Sequence, residues 1–180
     1  MERIFVLKNS VSVRIAKALM KAFPNHPTLE NKNNREIFYH NDYLNGSEAE
    51  KRDIESSSAK YRYEYEKNRD FFKTYFPKFD KEEYKDKEIL EIGSFTGGSL
   101  VYWMERHGFS KGCGIDIEPI FAEAGNEFAK EKNINATFDT GYGENLPYSD
   151  NSFDFIVSYD VFEHVNDLEM VIDECSRVLR

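Results

Sequence analysis

Glu91, Gly93 and Gly97 lie in the stretch Ile89-Leu90-Glu91-Ile92-Gly93-Ser94-Phe95-Thr96-Gly97-Gly98, where an apolar run meets a glycine-rich turn. A strand that enters such a turn and continues into a helix presents backbone N–H groups to a nucleotide-like ligand. The next apolar stretch, Gly112-Cys113-Gly114-Ile115, ends on Asp116. An acid at that distance from the turn is placed to accept hydrogen bonds from both hydroxyls of a ribose. The two features together predict a nucleoside site. A second group, Asp160-Val161-Phe162-Glu163-His164, spaces an acid and an acid-histidine pair so that one helical turn could gather them. Such a set could hold magnesium, manganese or zinc and lower the pKa of a hydroxyl. His164 could equally serve as an unassisted general base or substrate contact, or the stretch could simply begin a helix.

Phe95 narrows the ligand. A pyrophosphate-binding turn needs glycine at that place so that the backbone can approach the phosphates, and the carboxylate of Glu91 would repel them. A nucleoside without phosphate is therefore expected. Phe95 is also expected to alter the geometry of the turn.

Four strands, near residues 88–93, 111–116, 135–139 and 153–158, must position these groups, with helices near 97–107, 119–132 and 166–179 between and after them. Gly108 closes the first helix and Pro119 opens the second. Alternation of this type requires a parallel sheet with right-handed crossovers, an α/β fold. Upstream, Ser10 and Pro24 bracket an amphipathic helical pattern over residues 10–23, and residues 24–46 read as an asparagine-rich connector. A second helix is expected from Ser47, where Ser47-Glu48-Ala49-Glu50 has the capping-box form, to about Lys73. It carries Tyr61, Tyr65 and Phe72 on one face. Such a stripe more often than not packs against the main sheet. The chain thus divides into a helical accessory segment, residues 1–80, and a ligand-binding domain, residues 81–180.

With 180 residues the chain can hold one such core and an appendage. A net charge of −9 and a pI near 5.0 supply no basic footprint, which argues against nucleic acid as a partner. Cys113 and Cys175 fit neither a metal spacing nor a disulfide framework and read as buried, reduced thiols, so a cytoplasmic home is expected. The apolar run Ile4-Phe5-Val6-Leu7 is too short for a signal peptide, and no window reaches a membrane-spanning length.

Residues from about Glu88 to Arg180 resemble the front half of a class I S-adenosylmethionine-dependent methyltransferase of the type 11-like group, through four motifs in the family's order. The resemblance implies a Rossmann-like sheet with strands in the order 3-2-1-4. It also implies that Glu91, Gly93, Ser94 and Gly97 hold the amino-acid half of the cofactor, that Asp116 holds its ribose and that Ile117 lies on its adenine face. Gly141-Tyr142-Gly143-Glu144-Asn145-Leu146-Pro147-Tyr148 is similar to the family's adenine loop, with Tyr142 where an aspartate is usual; Tyr142, Gly143 and Glu144 are its implied contacts. Ser158 and Tyr159 would lie beside the transferring methyl group. Asp160 and His164 would be the catalytic residues. Glu-His after this strand is also common without metal, and no metal is assigned. In this family an N-terminal helix often closes over the cofactor, which makes Tyr61, Arg62 and Tyr63 lid candidates. Strands 5-7-6 have no counterpart, so the resemblance predicts a C-terminally shortened chain with an open edge on the fourth strand, through which a homodimer could form. The implied activity is methyl transfer to an unidentified small molecule. Cofactor binding is expected more firmly than turnover, and the second reading is a non-catalytic nucleoside-binding module completed by a partner.

Overall fold

The computed structural model describes residues 84–180 and the backbone of one N-terminal strand, β1 (Ile4–Leu7). The helices expected over residues 10–23 and 47–73, the connector between them and the lid candidates Tyr61, Arg62 and Tyr63 lie outside the described residues. After β1 the elements run β2 (Glu88–Ile92), α1 (Gly98–His107), β3 (Lys111–Asp116), α2 (Pro119–Glu131), β4 (Ala136–Thr140), β5 (Phe155–Tyr159) and α3 (Leu168–Val178). Local chemistry sets the helix ends. Gly108 adopts φ +72° and returns its N–H to the Met104 carbonyl, Pro119 occupies the first turn of α2, and the Asp167 carboxylate accepts from the Met170 N–H at the start of α3.

The sheet order is β1-β5-β2-β3-β4, with β5, β2, β3 and β4 mutually parallel. Counted from β2, this is the expected 3-2-1-4 arrangement. β2 and β5 are buried on both faces, as apolar parallel strands must be, whereas β4 at the edge buries Phe138 alone of its five residues.

The open edge expected on the fourth strand is corrected by the structure. β1 pairs antiparallel with β5, Phe5 opposite Ser158 and Leu7 opposite Ile156, so the backbone groups that would have recruited a second copy are already paired. A four-residue apolar run has too little pattern to announce a strand; here the partner strand decides it.

Side chains alternate between the two faces. Leu90, Ile92 and Ile156 pack with Val171, Ile172 and Val178 of α3 on one face. Ile89, Phe155 and Val157 pack with Leu100 and Trp103 of α1 on the other. Each such buried aliphatic contributes about 1.5–3 kcal/mol relative to exposure. At the opposite end of the sheet from the glycine turn, Asp154 ties the strand starts together, accepting from the Glu88 N–H (3.0 Å), Lys87 Nζ (3.1 Å) and Arg180 (2.7 Å).

Burial works against the Asp154 carboxylate, but these donors outweigh it and hold its pKa below the ordinary value; Arg177 does the same for Glu174. Both groups are depressed in the folded state, so their stabilisation is present above the ordinary carboxylate range near pH 4 and is lost as pH falls through their lower folded values. Chemical denaturation is expected to show Asp154→Ala destabilised by about 1–2 kcal/mol at pH 7, with the difference shrinking toward pH 3.

Candidate functional site

Three connections converge on the C-terminal end of β3. The Gly93 and Ser94 N–H groups both donate to the Ile115 carbonyl (2.8 and 3.0 Å), and the Gly141 N–H donates to the Asp116 carbonyl (2.8 Å). The Asp116 carboxylate accepts from the Phe95 N–H at 2.8 Å and from the Glu118 N–H at 3.1 Å. Burial pushes the Asp116 pKa up, opposed by those two N–H groups. The Ile117 N–H also favours the charged form, and a carboxylate has about four acceptor sites, so acceptor capacity remains for the hydroxyls of a vicinal diol.

The turn keeps a glycine-like path. Gly93 and Gly97 have φ +72° and +82°, and a β-carbon on Gly93 would lie 2.1 Å from Val161 Cγ2. Phe95, expected to alter the turn, instead adopts the left-handed conformation itself, with φ +46°. That costs a non-glycine residue about 1–2 kcal/mol. Its ring meets Phe121 of α2 with centroids 4.2 Å apart at 54°. An aromatic pair of this kind supplies about 0.5–1.5 kcal/mol, the same order as the strain.

The remaining sequence candidates fall into two groups. On the rim, Ile117 is 47% exposed and Tyr142 61% exposed; with Met170 at the start of α3, they are the exposed large apolar residues among the described part of the chain. Both follow residues whose backbones bind one another, Asp116 and Gly141, so the two segments that carry them leave the end of β3 side by side. Inside the fold, Glu91 is 1% exposed beneath the turn and accepts from Ser99 Oγ of α1. Ser94 Oγ is buried close over Gly114, where a β-carbon would lie 2.7 Å from it. Ser158 Oγ donates to the Ile92 carbonyl at 3.0 Å, and the Tyr159 hydroxyl accepts from the Trp103 indole N–H.

Gly143 is buried against Ile92 and Val171. The Glu144 carboxylate receives the Asn166 N–H at 2.9 Å, latching the loop after β4 to the approach of α3. Glu174 and Arg177 complete the clasp: Glu174 accepts from the Leu146 N–H, and Arg177 donates to the carbonyls of Leu146 and Tyr148. Sequence reasoning missed Phe121, Met170, Trp103 and this clasp; the Glu174/Arg177 spacing along α3 was its one local signal.

Residues 162–164 form a turn rather than a helix, closed by the His164 N–H on the Val161 carbonyl at 2.7 Å. Among the described residues no three His, Cys, Asp or Glu side chains come together as a metal-binding group, so Asp160, Glu163 and His164 are not gathered on one helical face as that expectation required. Asp160 and His164 are half-buried just past the end of β5.

Residues 90–180, just over half the chain, match the family described as methyltransferase domain. The chain belongs to the class I S-adenosylmethionine-dependent methyltransferases. Norajmaline N-methyltransferase from Rauvolfia serpentina is 34% identical over 103 residues, covering 56% of this chain and 35% of that one. The solved structure of YcgJ from Bacillus subtilis superposes with a TM-score of 0.51 at 28% identity, covering 54% of this chain and 41% of that one. A structure from Methanococcus maripaludis, with a TM-score of 0.57 at 20% identity over 72% of this chain and 57% of that one, shares the fold. The chain spans about a third of the length of the curated relative.

In this member of the family, the positive φ of Gly93 and the β-branched Val161 beside it make the turn intolerant of any side chain. Gly93→Ala is expected to lower the unfolding free energy by about 2–4 kcal/mol, read by denaturant titration; a change under about 0.5 kcal/mol would contradict the tight approach.

Proposed function

We propose that the chain binds S-adenosylmethionine across the C-terminal edge of its sheet and transfers the methyl group to a small-molecule acceptor. The observation that carries this reading is the Asp116 carboxylate, held by N–H groups from two different segments with acceptor capacity left for a diol. Asp116 takes the ribose diol, Ile117 and Tyr142 enclose the adenine, and the Gly143 backbone, fixed by the Glu144 latch, borders it. The turn Gly93-Ser94-Phe95-Thr96-Gly97 receives the amino-acid half, with the buried carboxylate of Glu91 beneath it contributing negative charge toward the cofactor's ammonium. The Glu91 carboxylate disfavours a pyrophosphate, and so a dinucleotide.

When bound, the cofactor supplies an electrophilic methyl group on a sulfonium. The chain's own part is alignment, which accounts for most of the acceleration in a displacement of this kind. Ser158 and Tyr159 act by fixing the end of β5 through Ile92 and Trp103. Asp160 and His164 lie just beyond that end, where His164 would accept a proton from an acceptor that must lose one. No metal is included. Norajmaline N-methyltransferase is a relative, which makes nitrogen one acceptor atom to test beside oxygen and carbon. Residues 1–80 are proposed as the accessory or lid segment and residues 81–180 as the cofactor domain. A cytoplasmic location is proposed from the two buried thiols, Cys113 and Cys175, the latter pushed by burial to a pKa of about 12. No described helix is long and apolar enough to cross a membrane.

The engagement of Ser158 and Tyr159 within the fold, rather than on the rim, favours a second reading: a nucleoside-binding module that is completed by a partner and does not itself turn over. Calorimetry distinguishes ligand classes first. S-adenosylhomocysteine is expected to bind in the micromolar range, Asp116→Ala to weaken it about tenfold or more, and NADH to give no heat. Absence of heat from both S-adenosylmethionine and S-adenosylhomocysteine would overturn the proposal. Binding without methyl transfer to any amine, hydroxyl or carbon acceptor would select the second reading.

A further inference from the structure

The strained residue in the turn and the ribose-binding carboxylate are neighbours by one hydrogen bond. Phe95 has φ +46°, and its N–H is the donor to Asp116 Oδ2 at 2.8 Å. The turn is pinned on either side, by the Gly93 and Ser94 N–H groups on the Ile115 carbonyl and by the Gly97 N–H on the Ser94 carbonyl, so a relaxation of φ at position 95 must be taken up by the neighbouring peptide planes, including the one that carries this N–H. The ring of Phe95 is braced by Phe121, two residues inside α2, at 4.2 Å between centroids. Phe121 hangs from the helix that follows Asp116, and Glu118, from the same connection, donates to the other carboxylate oxygen. The carboxylate is thus held from two sides, one side fixed by its own chain and the other dependent on a residue that would relax out of its conformation without support.

We infer that Phe121 is a positioning residue for the cofactor: its ring holds Phe95 in the left-handed conformation, which keeps the Phe95 N–H on Asp116 and leaves the carboxylate's remaining acceptors facing the diol. The binding arm of this inference rests on the S-adenosylmethionine reading above; the backbone arm does not. It makes a specific claim about coupling. Glycine adopts the left-handed region without support, so replacing Phe95 by glycine makes Phe121 dispensable, whereas replacing it by alanine keeps the strain and removes the brace.

The test is a mutant cycle on the full chain with two readouts. Amide hydrogen exchange at residue 95, referenced to the amides of β2 and β3, reports the hydrogen bond without any ligand. Phe121→Ala is expected to speed exchange at Phe95 about tenfold while leaving the reference amides unchanged, and Phe95→Ala to do the same at position 95. In calorimetry, Phe121→Ala is expected to weaken S-adenosylhomocysteine binding about five- to tenfold. Phe95→Gly is expected to bind within about threefold of the parent, and adding Phe121→Ala to Phe95→Gly to cost less than about twofold more. Unchanged exchange in Phe121→Ala, or an equal loss of affinity from Phe121→Ala in both backgrounds, overturns the inference. If the parent chain binds neither S-adenosylmethionine nor S-adenosylhomocysteine, the functional proposal fails while the exchange readout still decides the role of Phe121.

Discussion

The last two residues of β3 accept hydrogen bonds from three connections at this edge of the sheet, those that follow β2, β3 and β4. Ile115 offers one carbonyl to two consecutive N–H groups of the glycine turn, and Asp116 offers its carbonyl to Gly141 and its carboxylate to Phe95 and Glu118. Five donors from three segments meet on two residues. Each bond is worth about 1 kcal/mol net, but their geometric effect is larger, because they make the positions of the three loops mutually dependent. The sheet behind them is rigid, with β2 and β3 buried on most positions, so the loops have a fixed platform.

From this constraint the rest follows. The turn must follow a glycine-like path to put two N–H groups on one carbonyl, which is why Gly93 and Gly97 have positive φ and why Phe95 bears strain. Gly97, Gly114 and Gly125 leave the space that Phe138 fills, so the helices can sit close to the strands and the turn lies low enough to reach β3. The loop after β4 is drawn in by Gly141 and then held on α3 by Glu144, Glu174 and Arg177. The outcome is an acid at the edge where open α/β sheets bind ligands, with Ile117 and Tyr142 exposed on the segments that follow Asp116 and Gly141.

Much of the scaffold was legible because its signals are local. The glycine turn, Pro119, Gly108 and the apolar runs marked β2, β3, β5 and the three helices to within two residues. β1 was missed since Ile4–Leu7 has no periodic context, and its pairing with β5 depends on a strand about 150 residues away in sequence. The sequence placed the candidate residues at or near the C-terminal ends of the strands, where the structure has them, but could not give side-chain direction. Ser158 and Tyr159 alternate onto opposite faces of the sheet and are used up by Ile92 and Trp103. Glu144 turns to backbone N–H groups at the approach of α3. The spacing of Asp160, Glu163 and His164 suggested a shared helical face, but the local backbone is a turn, a choice made by the closing hydrogen bond of His164 on Val161. Phe121 carries no motif, and its importance appears only when its ring is found beside Phe95.

The central claim is that this knot of backbone donors on Ile115 and Asp116 is the floor of a nucleoside site. Backbone amide chemical shifts recorded during titration with S-adenosylhomocysteine test it most directly. The account predicts the largest perturbations at Gly93, Phe95, Ile117 and Gly143, around Asp116, with β4 and the body of α3 little changed. Perturbations centred elsewhere in the chain, or none at saturating ligand, would contradict it.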